Sequence, residues 1–189
     1  MGRRKGPALT RSQVVDAAIE VVRSEGADAL GVTRVAKALG IQPPSLYAHV
    51  GKGDDLARAV ALEGSRQVLE GFKDAVRGVV EPRAQLRALA TTHRRWATAN
   101  AGLYVLMSRV EPRNDDPLQG PVIRETLDLF ARPLLQLGVA DDDLVHAIRG
   151  IRAAVHGFVL LESTGQFQLD AVRDASFQWM VDALLAGVG

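Results

Sequence analysis

Histidines and a run of aspartates are the side chains in this chain best suited to catalytic or metal chemistry. The four histidines are His49, His93, His146 and His156. No two of them lie four residues apart around a glutamate, which is the arrangement of a zinc-binding helix. The nucleophile-elbow, Walker and dinucleotide-binding glycine motifs are also missing from the sequence. The acidic run at 141–143 is typical of a helix start. We therefore predict no enzyme activity, no metal and no cofactor.

The segment 31–50 points to a different chemistry, because it predicts two short helices around a tight turn. Apolar residues recur with helical spacing in both halves, at Val32, Val35, Ala36 and Leu39 and then at Leu46 and Val50. Gly40 suits the position just past a helix end, where positive φ is common. Pro43 and Pro44 suit the first turn of a new helix, whose N–H groups are unpaired anyway. Two such helices form a helix-turn-helix, whose second helix can lie in the major groove of DNA.

Charge supports contact with a polyanion at the N-terminal end of the chain. The 189 residues carry a net charge of +1. Residues 1–52 hold eight Lys or Arg against four Asp or Glu, and the remainder holds fifteen against eighteen. Residues 1–9 are expected to form a basic, flexible arm. The sequence has no cysteine, which fits a reducing compartment. We expect no signal peptide and no apolar run of the ~18 residues that would span a bilayer.

Helical patterns dominate the rest of the chain, and Gly, Pro and Asp clusters divide them. Thr10 and Gln13 have the spacing of a capping box at the start of the first helix. The fold class predicted is all-α, with about nine helices. We expect a helix-turn-helix domain at 1–56 and a larger helical domain at 57–189, joined by the helix at 54–78.

The order of these elements resembles the TetR/AcrR family of bacterial transcription regulators. The resemblance covers roughly residues 10–56 and rests on Ala17-Ala18, Gly26, Val35-Ala36, Gly40-Ile41, Leu46 to Val50 and Asp54-Asp55-Leu56. A second resemblance, to a C-terminal subtype of the family, rests on His156-Gly157-Phe158 with Leu161-Glu162 and Gly165 to Phe167. Two positions depart from the family pattern. Gly31 replaces a capping Thr or Ser, and Gly53 replaces a lysine. Whether the neighbouring Lys52 supplies the lost phosphate contact stays open.

The resemblance implies that the helix at 43–50 reads DNA. Base edges would be contacted by Gln42, Pro43, Pro44, Ser45 and Ala48. Gln42 suits adenine and Ser45 suits several bases, while no Arg or Lys on this face reads guanine. Phosphates would be contacted by Thr10, Arg11, Thr33, Tyr47, His49 and Lys52. DNA shape would then carry part of the specificity.

The resemblance also implies an effector pocket and a two-fold dimer in the larger domain. The effector pocket would be lined by His93, Trp96, Leu103, Tyr104, Met107, Phe130, Arg152, His156 and Phe158. The dimer interface would be formed by Leu144, Ile148, Ile151, Val155, Val159, Phe177, Met180 and Leu184. Small residues between these positions, such as Gly150 and Gly157, would let helices approach closely.

The sequence thus predicts a cytoplasmic, dimeric, ligand-responsive regulator bound to a palindromic operator, with repression favoured over activation. Its effector would be a small, largely apolar molecule, and no membrane partner is expected. The alternative is an effector-independent architectural or activating DNA-binding protein. A cavity beside Trp96, Tyr104 and His156 would favour the first interpretation, and a filled core would favour the alternative.

Overall fold

The computed structural model describes residues 9–51 and 54–188, and over these residues it contains nine α-helices and no strand. The all-α prediction is therefore confirmed. The helices are α1 (Arg11–Glu25), α2 (Val32–Ala38), α3 (Pro43–Val50), α4 (Asp55–Val76), α5 (Pro82–Ala99), α6 (Ala101–Arg109), α7 (Gln119–Gln136), α8 (Leu144–Ser163) and α9 (Arg173–Ala186). Most begin or end within three residues of the boundaries expected from the sequence.

The start of α1 shows why the local sequence could fix a helix boundary. The Thr10 hydroxyl accepts a hydrogen bond from the Gln13 backbone N–H at 3.2 Å. The Gln13 side-chain oxygen in return accepts one from the Thr10 backbone N–H at 2.9 Å. These two bonds satisfy donors that the first helical turn leaves unpaired. The predicted capping box is confirmed.

Gly31 is the N-cap residue of α2, and no side chain caps this helix, as the absence of Thr or Ser predicted. Its backbone is extended, and an added Cβ would meet nothing within 4 Å. We therefore expect Gly31→Ser to raise the free energy of unfolding by about 0.5–1 kcal/mol, since the hydroxyl caps the helix and the unfolded chain loses freedom. Urea unfolding measures this gain. Gly31→Ala serves as the control, because it removes chain freedom without adding a cap, and a gain equal to that of serine would contradict the capping argument.

The first compact unit consists of the residues up to Ser65 together with Asn100–Glu111. It is larger than the domain expected at 1–56, because α6 joins it by packing on α1. Gly102 makes this contact possible, since a Cβ there would lie 2.4 Å from the Val22 carbonyl oxygen. The Arg23 guanidinium donates to the Asn100 side chain at 3.1 Å, and Arg109 pairs with Asp28. Helix α6 is thus fixed near its start to α1 and near its end to the turn that follows α1.

Adding a methyl group at Gly102 is expected to separate α6 from α1. Gly102→Ala should lower the free energy of unfolding by about 1–2 kcal/mol, because the obstructing atom belongs to the backbone and cannot rotate away. Gly71→Ala, inside α4, is the matched control. Its Cβ would make an ordinary 3.5 Å contact with Thr92 of α5. That control should gain about 0.5–1 kcal/mol from helix propensity. A gain at both positions in thermal unfolding would contradict the close packing of α6.

The second compact unit consists of Arg66–Ala99 and the residues from Pro112 onward. Its core is formed by apolar side chains of α4, α5, α7, α8 and α9, of which Phe72, Leu86, Leu89, Leu134 and Phe177 are among the most buried. Helix α5 packs against α7, α8 and α9. Helix α4 is continuous and contributes residues to both units.

Helix α8 lies in a segment that is long and apolar enough to cross a membrane by length and composition alone. This segment is Asp141–Ser163, and 22% of its most apolar stretch is buried. Arg149 and Arg152 interrupt it, so it is not a continuous apolar run. Three large apolar side chains of α8 are exposed, namely Val145, Leu160 and Leu161.

Candidate nucleic-acid interface

The turn between α2 and α3 has the geometry that the sequence predicted. Gly40 adopts φ 66°, a conformation that costs glycine little. The Ile41 N–H donates to the Ala36 carbonyl at 3.0 Å, and the Gly40 N–H donates to the Lys37 carbonyl at 3.1 Å. These bonds satisfy carbonyls at the end of α2. Pro43 then starts α3 at the first helical turn.

Helix α3 has one buried face and one exposed face. Leu46 is 0% exposed and Val50 is 4% exposed, which fixes the rotation of the helix about its axis. The side chains predicted to contact bases lie elsewhere: Gln42, Pro44, Ser45 and Ala48 are exposed, and Pro43 is half-buried. The exposed face therefore offers an amide, a hydroxyl and small apolar groups, which can contact the edges of base pairs.

The residues predicted to contact phosphates are mostly exposed. Thr10, Arg11, Thr33 and Tyr47 are exposed, and His49 is half-buried. Arg34, an exposed cation of α2, forms an ion pair with Glu25. Lys52, which is predicted to contact phosphate, lies outside the described residues, and so do the Arg and Lys residues of the N-terminal arm.

Comparisons with known proteins identify this arrangement. The family model for bacterial regulatory proteins of the tetR family matches residues 14–60, and the model for the tetracyclin repressor-like C-terminal domain matches residues 86–184. The chain belongs to the TetR family. It is a DNA-binding transcriptional regulator, as the helix-turn-helix predicted. The resemblance to a particular C-terminal subtype stays a prediction.

A relative and two solved structures extend this comparison over nearly the whole regulator. An uncharacterized HTH-type transcriptional regulator of Mycobacterium tuberculosis is 32% identical over 180 residues, which cover 95% of this chain and 82% of that protein. A TetR variant from Acinetobacter baumannii in complex with minocycline has a TM-score of 0.76 at 23% identity, covering 95% of this chain and 96% of that one. BioQ with its double-stranded DNA operator has a TM-score of 0.69 at 26% identity, covering 95% and 99%.

The regulator exposes an apolar surface on its last two helices. Among the described residues, six of the eleven large apolar side chains that are exposed lie on α8, on α9 or in the loop between them. These six residues, which we call the α8–α9 surface, are Val145, Leu160, Leu161, Leu169, Val172 and Trp179. Exposed large apolar side chains are typical of interaction sites when they lie together, so these six residues are candidates for one.

Burial divides the residues of the predicted dimer interface into two groups. Ile151, Val155, Val159 and Phe177 are between 0% and 7% exposed, so their side chains pack in the core of the unit. Leu144, Ile148, Met180 and Leu184 are half-buried. The dimer interface stays a prediction.

The predicted effector residues are distributed over both compact units. Leu103, Tyr104 and Met107 belong to the first unit, where Leu103 and Met107 lie beside Gly64 of α4. His93, Trp96, Phe130, Arg152, His156 and Phe158 belong to the second. Phe158 packs against Phe167 and Phe177, with centroid distances of 4.7 and 5.1 Å, so it forms part of an aromatic core.

His93 is the polar centre of the effector residues in the second unit. Its ring meets Phe72 edge to face at 6.0 Å, and Phe72 in turn meets Phe130 at 5.6 Å. Burial lowers the pKa of His93 to about 4, and the nearby Arg152 and His156 act in the same direction. The imidazole is therefore neutral near pH 7 and can donate and accept hydrogen bonds in an apolar setting.

A separate open groove of about 430 Å³ lies on the second unit. It is lined by Ala75, Ala84, Arg87, Ala88, Thr91, Thr92, Arg95 and Gln178. None of these residues belongs to the predicted effector set. No sequence pattern predicted this groove, since small side chains on an amphipathic helix do not distinguish a groove from an ordinary surface.

Sequence reasoning also missed Arg94, which is 14% exposed. Its guanidinium makes two hydrogen bonds to the Glu162 carboxylate, at 2.9 and 2.6 Å. Charge on each partner favours charge on the other, so the pKa of Glu162 is lowered and that of Arg94 is raised. A signal did exist, because Arg94 lies at the edge of the apolar face of α5, where a charged residue needs a partner.

Proposed function

We propose that this regulator is a dimer that represses transcription from a palindromic operator and leaves the operator when a small, largely apolar molecule binds. Each copy would place α3 in one major groove, and the two copies would occupy half-sites about one helical turn apart. Occupation of a promoter would exclude the polymerase. The protein would act in the cytoplasm.

The observation that carries the DNA-binding geometry is the exposed polar face of α3 opposite the buried Leu46. Gln42 and Ser45 are free to meet base edges because the side chains that hold the helix in place lie on its other side. BioQ, a protein of similar fold, has been crystallised with its double-stranded DNA operator. A DNA-bound protein of this fold supports operator binding by this chain.

The α8–α9 surface supports pairing between two copies. It combines large apolar side chains with Gly150 and Gly157, where an added Cβ would meet nothing within 4 Å. Small residues of this kind allow the backbones of two helices to approach closely. A two-fold pair through this surface would give the symmetry that a palindromic operator requires.

The His93 cluster supports an effector site in the second unit. The ring of Phe72 packs on a neutral imidazole and on Phe130, which gives the combination of apolar groups and few polar groups found in ligand pockets. A protein of similar fold from Acinetobacter baumannii binds minocycline. A ligand would lower DNA affinity only by preferring a conformation of the dimer that fits the operator poorly.

Selection from a random duplex library tests the DNA arm of the proposal. We expect the full chain to enrich an inverted repeat, and we expect its affinity for the enriched duplex to fall by orders of magnitude between about 50 and 200 mM salt. The double variant Gln42→Ala with Ser45→Ala should relax the enriched sequence, since these side chains read bases. Thr98→Ala, an exposed hydroxyl of the second unit, is the control. Enrichment of no motif, or of a motif without two-fold symmetry, would refute the proposal.

Release of the enriched duplex tests the effector arm. A panel of neutral, apolar aromatic compounds is added to the complex, with the polar compound minocycline tested beside them, and fluorescence anisotropy follows dissociation. Release by a compound that also raises the melting temperature of the free chain supports an effector. If no compound in the panel releases the duplex or stabilises the chain, the effector-independent architectural or activating function is favoured instead.

A further inference from the structure

One side chain of α5, Arg94, binds both helices of the α8–α9 surface. Its guanidinium makes two hydrogen bonds to Glu162 of α8 and a 2.9 Å ion pair to Asp174 of α9. The same group lies over two aromatic rings, 5.1 Å from the centre of Phe158 of α8 and 4.8 Å from that of Phe177 of α9. Each helix therefore meets Arg94 through one carboxylate and one ring.

The burial of this cluster makes its geometry specific. Arg94 is 14% exposed and Glu162 is 13% exposed. A paired charge in such a site depends on good geometry, because its desolvation must be offset by well-placed hydrogen bonds. The planar guanidinium provides two parallel bonds and a flat face for stacking, and a lysine ammonium provides neither.

The loop between α8 and α9 is attached to the same cluster. Phe167 of the loop packs on Phe158 at a centroid distance of 4.7 Å. This loop carries Leu169, and α9 carries Trp179, so both belong to the exposed α8–α9 surface. Contacts centred on Arg94 thus contribute to the position of those side chains relative to α8, beside the direct contacts between α8 and α9.

We propose that Arg94 is a positioning residue for dimerisation: it fixes α8 and α9 in the relative arrangement that makes the α8–α9 surface complementary to a second copy. This inference rests on the pairing in the proposed function. In a two-fold dimer each contact occurs twice, once for each copy. A change in the angle between α8 and α9 therefore disturbs both occurrences of each contact. The arrangement of the helices, rather than their hydrophobicity alone, then determines dimer affinity.

Arg94→Lys tests the inference, and Arg87→Lys is its matched control. Arg87 also joins α5 to α9, through Asp182 at 2.7 Å, but both side chains of this pair are exposed. We expect Arg94→Lys to raise the dimer dissociation constant by about tenfold or more in sedimentation velocity, a loss typical of a displaced interface. Arg87→Lys should change it less than about threefold. Far-ultraviolet circular dichroism shows whether each variant keeps its helices.

Asp174→Asn gives a second variant that keeps the core intact. Asp174 is 83% exposed, so its replacement should leave the fold stable while removing one of the two links from Arg94 to α9. We expect its dissociation constant to rise as well, and it decides the question if Arg94→Lys does not fold. Wild-type affinity in a folded Arg94→Lys variant, or in Asp174→Asn when Arg94→Lys is unfolded, would overturn this inference alone. A wild-type chain that stays monomeric at all concentrations would overturn the proposed pairing itself.

Discussion

A chain carrying Trp179→Arg is expected to bind the selected duplex at least about a hundredfold more weakly than the wild type. Trp179 is 75% exposed in the single chain and lies on the α8–α9 surface. In the proposed pairing, a cation placed there would be buried in an apolar contact that cannot solvate it. Monomers must then bind each half-site separately, and the gain from linking two DNA-binding domains, typically about 10²–10⁴-fold, is lost. Anisotropy titration measures the affinity, and sedimentation measures the oligomer.

Val80→Arg is the matched control for this substitution. Val80 is also a large apolar residue, 87% exposed, but it lies in the turn between α4 and α5. It should leave both the dimer and the DNA affinity unchanged. The interpretation of the α8–α9 surface would be wrong if Trp179→Arg remained dimeric, or if Val80→Arg disrupted the dimer equally.

Acid is expected to destabilise the regulator through His93, well above the range in which carboxylates titrate. The pKa of His93 is lowered from 6.5 to about 4 in the folded chain, chiefly by burial. Below pH 6.5 the unfolded chain takes up a proton that the folded chain refuses until about pH 4, so folding loses stability as the pH falls through this window. Between about pH 7.5 and pH 5 this difference amounts to about 2 kcal/mol.

His93→Gln should remove this part of the pH dependence. Urea unfolding at a fixed chain concentration, repeated at about pH 7.5 and pH 5, gives the loss for each variant. Leu89→Val is the control, because it weakens the same buried region of α5 without changing a titratable group, and its loss of stability should be similar at both pH values. Equal acid sensitivity in the wild type and in His93→Gln would show that His93 is not held neutral by its surroundings.

Local sequence determined the elements that bind DNA. The capping box at Thr10, the positive φ at Gly40 and the proline start of α3 each depend on residues within a few positions along the chain. The exposed face of α3 followed from the four-residue spacing of Leu46 and Val50. The family resemblance over residues 10–56 was carried by these same features, and the TetR-family models confirmed it.

Only the tertiary structure decided which side of α8 faces the core, which contacts Arg94 makes and that α6 packs on α1. In each case the deciding contact joins residues far apart in sequence: Arg94 with Glu162, and Gly102 with Val22. A helix with apolar residues on more than one side has no single preferred face until its neighbours are in place. Hydrogen bonds and periodicity within one helix can be read from its own residues, whereas burial depends on the surface that another helix supplies.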